Sequence, residues 1–353
     1  MTTRDDAASP VDVKRATMRD VAARADVSLK TVSRVVNGEA GVSPALAERV
    51  RRAIDELGFR PNAGARHLRR ADQRTASIAL LLDDVTNPFC ATVQRAVEDV
   101  ATPRGVLVFS ASVDDDPVRE QAFAREFVGR RVDGILLFPS GDDQSYLEAE
   151  VRAGTAIVCV DREPRNLTVD SVVTTNALGA AVAVRHLAAA GHRRIAFLGD
   201  TPHIATAVQR LDGYRTALEE LDLPLDPSLV LLDVGQVAAA DGAVTGLLAR
   251  PDPPTALFTA RNQTTIGAVR ALSRLGRQHE IALVGFDDFL LADLLVPGVT
   301  VVRQDATAIG HLAAELLFAR IGGDTSPPSV RLVPTELVRR GSGEIAPPRG
   351  SST

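Results

Sequence analysis

Short aliphatic runs alternate with helical segments over most of the chain. The runs are SIALLL (77–82), VLVF (106–109), ILLF (135–138), AIVCV (156–160), IAFLG (195–199), ALF (256–258), IALVGF (281–286) and VTVV (299–302). Amphipathic segments lie between them at 90–101, 117–129, 177–190, 209–221, 262–275 and 306–321. Continuous apolar strands that alternate with helices are typical of parallel sheets covered on both faces. The pattern therefore predicts an α/β body of two doubly wound lobes.

Length and composition agree with such a body. A chain of 353 residues suits two or three domains, and 45% hydrophobic with only 4% aromatic residues predicts an aliphatic core. No apolar run approaches the roughly 20 residues of a membrane span, and the first 16 residues lack the apolar core of a signal peptide. Cys90 and Cys159 lie in apolar stretches outside any C-x-x-C pair. We therefore expect buried thiols in a cytoplasmic protein without membrane contact.

Charge is divided unevenly along the chain. Residues 1–74 hold 15 Lys/Arg and 10 Asp/Glu, whereas the remainder holds 25 Lys/Arg and 35 Asp/Glu. A basic head on an acidic body indicates that only the head meets a polyanion.

Three short helical patterns fill residues 17–58. Thr17 opens the first with a capping-box pattern, Ser28 can cap the second, and Ser43-Pro44 starts the third. Gly38 and Gly58 mark the ends of the second and third. The expected inward-facing residues are Val21, Ala22 and Ala25, then Val32, Val35 and Val36, then Leu46, Val50, Ile54 and Leu57. A helix, a tight turn and a second helix, closed by a third, form a helix-turn-helix arrangement.

These patterns give a complete division of the chain. We expect a disordered tail at 1–15, an all-α helix-turn-helix head at 16–62, a hinge at 63–74, a body at 75–340 and a flexible tail at 341–353. Within the body, lobe one is expected at about 75–174 and 303–330, and lobe two at about 175–302 and 331–340. The chain would then cross between the lobes near Thr174, Val302 and Val330.

The sequence resembles the lactose-repressor (LacI/GalR) family of bacterial transcription regulators. In the head the matching motifs are T-M-R-D-V-A (17–22), V-S-L-K-T-V-S-R-V-V-N-G (27–38), V-S (42–43) and G-F-R-P-N (58–62). In the body they are N-P-F (87–89), R-V-D-G-I (131–135), V-D-R (160–162), G-H-R-R-I (191–195), R-L-D-G-Y (210–214) and G-F-D-D (285–288). The resemblance covers nearly the whole chain. It implies a regulator, expected to be a repressor, that binds operator DNA as a homodimer, with two lobes like those of periplasmic binding proteins.

The resemblance also implies DNA-contacting residues in the head. Leu29, Lys30 and Arg34 match base-contacting positions, where Lys and Arg can donate to guanine and Leu offers apolar contact. Side chains suited to phosphate contacts, which set register but carry no sequence code, are those of Ser28, Thr31, Ser33 and Asn37. Thr17 and Asn62, in the first and last matching motifs of the head, complete the expected set.

The linker acquires a role from the same resemblance. The matching stretch folds on operator DNA into a hinge helix that pairs with its dimer mate, and a leucine wedges into the minor groove. Leu68 matches that leucine, with Ala65 beside it, and Arg66, Arg69 and Arg70 are expected to contact phosphates. Gly64 and the short length of this helix predict that it is not stable off DNA. A passive linker is the alternative.

Effector contacts are expected between the lobes, because ligands of such sheets bind at the carboxyl ends of the strands. Asp161 follows the run AIVCV, Asp287 follows IALVGF, and Arg210 is placed at the start of the helix after IAFLG. Carboxylates accept hydrogen bonds from paired hydroxyls and arginine donates to oxygens, as a sugar or sugar-derived ligand requires. The resemblance places effector contacts at Arg210 and Asp287, and often at Asp161. For a single Asp, a helix cap is an equally good explanation.

Two further positions are open to alternatives. Arg261 and Asn262 stand where many relatives have Asn-Asp. If Arg261 faces the cleft, it indicates an anionic ligand, such as a sugar acid or sugar phosphate; if it faces solvent, it indicates nothing. Phe89 either stacks on a sugar ring or belongs to the core.

Enzymatic function has little support in the sequence. The motifs G-x-x-x-x-G-K-[ST], G-x-G-x-x-G and G-x-S-x-G are absent, and the six histidines lack metal-ligand spacing. We therefore expect neither catalysis, nor a metal, nor a cofactor. The alternative function is a sugar-binding transport protein or a sugar-acting enzyme built on the same two lobes.

Overall fold

The computed structural model describes residues 16–60 and 74–348. The chain divides into two compact units, Met1–Thr75 and Ala76–Thr353, which are taken separately here as the head and the body. The expected tail at 1–15 and nearly all of the expected hinge at 63–74 lie outside the described residues.

The head contains three helices, α1 (Met18–Ala25), α2 (Leu29–Asn37) and α3 (Pro44–Glu56). Side chains that accept a backbone N–H begin each of them: Thr17 for α1, Ser28 for α2 and Ser43 for α3. Asp26 and Gly38 end α1 and α2 in the left-handed conformation. The predicted helices of the head are confirmed.

A small aliphatic core joins the three helices. Its buried members are Val21, Ala22, Ala25, Val32, Val50, Ala53 and Phe59, with Val35, Val36, Ile54 and Leu57 packed partly buried against them. Leu46, which was predicted to face inward, is only half-buried and lies outside this cluster. Ala47, one residue further along α3, is buried instead.

The body contains two six-stranded sheets of equivalent strand order. The strands are β1 (Ser77–Leu82), β2 (Leu107–Ser112), β3 (Gly134–Leu137), β4 (Ala156–Asp161), β5 (Asp170–Thr174), β6 (Ile195–Leu198), β7 (Val230–Leu231), β8 (Ala256–Thr259), β9 (Ala282–Phe286), β10 (Thr300–Gln304), β11 (Val330–Val333) and β12 (Thr335–Val338). The first sheet has the order β11-β5-β4-β3-β1-β2 and the second β12-β10-β9-β8-β6-β7. All pairs are parallel except β10 with β12.

Helices cover the sheets. They are α4 (Pro88–Ala101), α5 (Pro117–Gly129), α6 (Glu148–Arg152), α7 (Asn176–Ala189), α8 (Ala205–Glu220), α9 (Val237–Leu248), α10 (Asn262–Leu275) and α11 (Ala306–Ile321). Separate buried clusters lie on the two faces of each sheet, because the side chains of a strand alternate between faces. The predicted architecture, two doubly wound α/β lobes, is therefore confirmed.

Three chain crossings connect the lobes, and two of them differ in position from the expectation. The first follows Thr174, the last residue of β5. The second follows Gln304 rather than Val302, because β10 continues for two more residues within the second sheet. The third lies at Pro334 rather than Val330, because Val330–Val333 pairs with β5 in the first sheet before β12 joins the second.

The predicted flexible tail is wrong for residues 341–347. A one-turn 3-10 helix, Ser342–Glu344, packs on the second sheet with Ser342 buried. The hydroxyl of Ser342 donates to the carbonyl of Leu283 at 2.6 Å, and Nε2 of His192 lies 2.8 Å from the carbonyl oxygen of Ile345. These long-range bonds hold a Gly/Pro/Ser-rich segment that has no periodicity of its own.

Candidate functional site

The N-terminal end of α2 is exposed on the head. The hydroxyl of Ser28 accepts the N–H of Thr31 at 3.1 Å and lies 2.9 Å from the Thr31 hydroxyl. Leu29 is 46% exposed and Lys30 is also exposed. The cap therefore fixes the first turn and leaves two candidate base-contacting side chains in solvent.

Glu39, just after the C-terminal end of α2, contacts two of the predicted DNA-binding residues, which the sequence analysis did not predict. The amide of Asn37 donates to Glu39 Oε1 at 3.3 Å and to Ser33 Oγ at 3.4 Å, while Arg34 Nε lies 4.0 Å from Glu39 Oε2. An exposed pair of this length contributes little stability, so a phosphate or base can replace Glu39. Glu39 could have been found from the sequence, because it directly follows the Asn-Gly pair that ends α2.

Other predicted DNA contacts are either occupied locally or not described. The backbone N–H and the hydroxyl of Thr17 both donate to Asp20 Oδ2 at 2.7 Å. Asn62, Ala65, Arg66, Leu68, Arg69 and Arg70 lie outside the described residues. Contact of all these residues with DNA stays a prediction.

In the body, polar side chains from both lobes meet at the carboxyl ends of the strands. The cleft is lined by Asp83, Asn87, Phe89, Cys90, Phe138, Asp161 and Arg162, and from lobe two by Asp200, Ile204, Thr206, Ala207, Arg210, Ala260, Arg261, Asp287 and Gln304. The predicted residues Phe89, Asp161, Arg210, Arg261 and Asp287 are brought together here. Asn262 is not among the lining residues.

Arg210 lies in the second turn of α8, whereas it was expected at the start of that helix. Its Nε donates to Asn176 Oδ1 and its Nη1 to the carbonyl of Ala260, both at 2.8 Å. Its guanidinium carbon lies 3.9 Å from the ring centroid of Phe286, and Nη1 lies 3.6 Å from Asp287 Oδ2. Burial lowers the pKa of this arginine, although Asp287 opposes the shift. These contacts hold the guanidinium rigidly against the cleft.

A second arginine organises the lobe-one side of the cleft. Arg162 forms an ion pair with Asp115, lies 3.4 Å from Asp161 Oδ2 and lies 3.8 Å from Asp83 Oδ2. Burial would lower its pKa, but the three carboxylates outweigh burial and raise it. Burial, together with the charge of Asp115, raises the pKa of Asp83 to about 7. Asp83 and Asp115 therefore share a proton near neutral pH.

Arg261 faces the cleft and joins the lobes. It forms an ion pair with Asp200 of lobe two, and its Nη2 lies 3.6 Å from Asp83 Oδ2 of lobe one. Asn262 is 99% buried, and its Nδ2 donates to Asn87 Oδ1 at 2.8 Å across the same boundary. Because two carboxylates already face Arg261, its presence gives no reason to expect an anionic ligand.

Phe89 combines the two alternatives that its sequence position allowed. It lines the cleft, but it also packs edge-on against Phe138, with ring centroids 6.4 Å apart, and joins the core of lobe one. One face of the cleft is therefore apolar, as a sugar ring requires.

Several polar residues in the cleft or directly behind it were not predicted from the sequence. Asp83 directly follows β1, and Asp200 comes two residues after β6, at equivalent places in the two lobes. The rule that selected Asp161 and Asp287 would have selected both of them. Gln304 and Asp115 had no such signal, because β10 was expected to end at Val302 and Asp115 lies in a loop.

Residues 16–60 and 74–348 contain neither a candidate membrane-spanning helix nor a candidate metal-binding cluster. None of their helices is long and apolar enough to cross a membrane. In the same residues no group of three His, Cys, Asp or Glu side chains could hold a metal ion.

Comparison with known proteins identifies both parts of the chain. The model of bacterial regulatory proteins of the lacI family matches residues 17–62, and that of the periplasmic binding protein-like domain matches residues 184–343. A ribose operon repressor of Haemophilus influenzae is 32% identical over 308 residues, which are 87% of this chain and 92% of the repressor.

Solved structures agree with these matches. The transcriptional regulator CelR in complex with cellobiose has a TM-score of 0.69 and 33% identity, over 93% of this chain and 100% of that one. The lac repressor dimer bound to operator and the anti-inducer ONPF has a TM-score of 0.82 and 26% identity, over 94% and 100%. With its helix-turn-helix head and two-lobed body, this chain belongs to the lacI family of bacterial regulatory proteins and is a DNA-binding transcriptional regulator.

Proposed function

We propose that this protein is a repressor that binds a pseudo-palindromic operator as a homodimer and changes its operator affinity when a sugar or sugar-derived effector binds the body. The observation that carries the proposal is the exposed first turn of α2, with Leu29 and Lys30 in solvent beside the Ser28 cap. A helix of this kind enters the major groove with its N-terminal residues at the base edges. The relatives include operon repressors and a cellobiose-bound regulator.

Selection from a random DNA library with the full chain would identify the operator. Fluorescence anisotropy at several salt concentrations would then measure affinity. A dimer that neutralises on the order of 6–10 phosphates should lose about three to five decades of affinity between low and moderate salt. A selection without a palindromic consensus, or a flat salt profile, would contradict operator recognition.

The cleft is the proposed effector site. Arg210 and Asp287 present a guanidinium and a carboxylate side by side on the lobe-two wall of a polar pocket, and Phe89 of lobe one supplies an apolar surface. The alternative function is that of a transport protein or an enzyme built on the same lobes. Such a protein would not need a helix-turn-helix head. Deleting the head and hinge therefore discriminates: a repressor would keep its ligand but lose DNA, whereas the alternative function would persist.

Substitution of the cleft residues requires care, because Arg210 also stabilises the body. Removing one partner of a buried ion pair costs about 3–5 kcal/mol. Arg210→Ala would therefore leave Asp287 uncompensated, whereas Asp287→Asn keeps the shape of the side chain. We expect Asp287→Asn to weaken effector binding about tenfold or more. The loss would be detected as a smaller difference between the operator affinities measured with and without sugar. An unchanged ratio would remove Asp287 from the effector site.

Exposed apolar side chains suggest where a second copy binds. β2 is an edge strand of the first sheet, with Leu107 66% and Phe109 45% exposed, and Leu290 and Leu294 are 82% and 69% exposed in lobe two. Apolar patches of this kind mark interfaces, and the lac repressor comparison structure is a dimer. Sedimentation velocity should give a dimer for the wild type and a monomer for Leu107→Glu combined with Leu290→Glu. A dimer that survives both changes would place the interface elsewhere.

A further inference from the structure

Two adjacent residues of lobe two, Arg261 and Asn262, reach across the cleft to lobe one. Nη2 of Arg261 lies 3.6 Å from Oδ2 of Asp83, and the two side chains are only 14% and 9% exposed. Nδ2 of Asn262 donates to Oδ1 of Asn87 at 2.8 Å, and both of these residues are buried. The protein's own side chains therefore hold the lobes together from the inside of the cleft.

The guanidinium of Arg261 is also fixed within its own lobe. Its Nη1 forms an ion pair with Asp200, whose Oδ1 accepts the N–H of Thr201 at 2.9 Å. Gly235 adjoins this carboxylate, and any Cβ at position 235 would collide with it. A planar guanidinium can contact two carboxylates through different nitrogens, as it does here with Asp200 and Asp83. Arg261 therefore spans the cleft in a fixed direction.

The position of Arg261 in its helix agrees with a role across the cleft. It is the N-cap residue of α10, where Ser, Thr, Asn or Asp would accept a backbone N–H of the first turn. Within the described residues, the side chain of Arg261 makes no such bond with α10. Its contacts go to the two carboxylates instead.

The space left in the closed cleft is small. It measures about 40 Å³. Binding sites for small molecules measure about 300–1,000 Å³, whereas one buried water needs about 10–15 Å³. Arg261, Asp83 and Asp200 all line this space. The cleft therefore has room for a few waters, and a sugar ring enters only after Arg261 has moved away from Asp83.

The ionic link can open without leaving an unpaired charge. Arg261 keeps its ion pair with Asp200 in lobe two. Asp83 keeps Arg162 of lobe one, whose Nη2 lies 3.8 Å from the same Oδ2 atom that faces Arg261. A buried charge that loses its partner is strongly destabilising. Because each ion has a second partner in its own lobe, separation of the lobes avoids that cost.

The amide link has the same property. Oδ1 of Asn87 also accepts the N–H of Phe89 at 3.1 Å, and Oδ1 of Asn262 accepts the N–H of Gln263 at 2.7 Å. Both asparagines therefore keep a hydrogen bond in their own lobe when the bond between them breaks. An element whose polar groups are satisfied in two arrangements is suited to a reversible switch.

We propose that Arg261 and Asn262 form a latch that keeps the lobes closed by the protein's own side chains, and that a ligand enters the cleft only after Arg261 has left Asp83. The closed arrangement is then the resting state of the body, and ligand binding works against the latch. The latch is a property of the body alone and does not depend on the proposed repressor function.

Two native thiols report opening of the latch in the full chain. Cys90 lines the cleft and is 1% exposed, whereas Cys159 lies in a core cluster of the first sheet. Alkylation by iodoacetamide, without DNA or sugar, would be followed for each cysteine by peptide mass spectrometry. We expect Cys90 to react faster than Cys159, because opening of the lobes exposes the cleft without unfolding the sheet.

Substitutions in the latch should accelerate the labelling of Cys90. Arg261→Met keeps most of the bulk but removes both ion pairs, and should raise the Cys90 rate about tenfold or more. Asn262→Ala removes the amide link and should raise it about threefold or more, which decides the question if Arg261→Met does not fold. Arg270→Met, at a 68% exposed position of α10, is the matched control and should change nothing.

Three results would overturn the latch. They are a Cys90 rate that Arg261→Met leaves unchanged, an equal acceleration by Arg270→Met, and a wild type in which Cys90 reacts no faster than Cys159. The last result would mean that the cleft opens only when the body unfolds. Operator binding is measured separately, so its absence would contradict the proposed repressor while the labelling rates still decide the latch.

Discussion

Replacing Asp83 with asparagine should stabilise the body at pH 8 and stabilise it clearly less at pH 5. Burial and the charge of Asp115 raise the pKa of Asp83 from 3.8 to about 7, although Arg162 and Arg261 oppose the shift. Between about pH 4 and 7 the folded protein therefore holds a proton that the unfolded chain has lost. Stability falls as pH rises through that window, because the folded state must ionise a buried carboxyl.

The magnitude follows from the two pKa values of Asp83. Each pKa unit corresponds to 1.36 kcal/mol, so a rise from 3.8 to about 7 sets a ceiling of about 4 kcal/mol at pH 8. Part of this free energy belongs to Asp115, which shares the proton. We therefore expect a gain of roughly 2 kcal/mol for Asp83→Asn, which is several degrees in Tm for a body of this size.

Thermal unfolding of the wild type and the variants at pH 5 and pH 8 would measure this effect. Asp288→Asn is the control, and its effect on stability should be opposite to that of Asp83→Asn. Asp288 forms a bidentate pair with Arg340 at 2.7 and 2.6 Å. Burial raises the pKa of Asp288, but these bonds outweigh burial and lower it, so its stabilisation is present at pH 8 and is lost as pH falls. If Asp83→Asn were less stable than the wild type at pH 8, or shifted equally at both pH values, the reasoning would fail.

Three further changes test the head, the hinge and the boundary between the lobes. Lys30→Ala and Arg34→Ala should each relax base preference at one position per half-site by about 1–3 kcal/mol, measured on operator variants; uniform weakening would make them phosphate contacts. Leu68→Ala should weaken operator binding and reduce the DNA bend in circular-permutation gels, and an unchanged bend with unchanged affinity would leave a passive linker. Asn262→Ala leaves Asn87 without its partner across the cleft and should cost about 1–3 kcal/mol in thermal unfolding, whereas no loss would make that bond unimportant.

Local pattern was sufficient for most of the architecture. The eight predicted strands are all present within a few residues, because a buried parallel strand is a continuous aliphatic run. The helices of the head followed from caps at Thr17, Ser28 and Ser43. Short or partly polar strands escaped this reasoning. β11 and β12, with sequences VRLV and TELV, have too few apolar residues for a local signal and exist because they pair with β5 and β10.

The sequence alone determined the head, the two lobes and the strand ends where Asp161 and Asp287 lie, since these depend on periodicity and capping within a few residues. Only the tertiary structure decided which charges meet. Arg261 is paired with Asp200 and Asp83, which are 61 and 178 positions away in the chain. Its apparent preference for an anion disappears once those carboxylates are in contact, because the effect of a charge depends on neighbours in space and on burial.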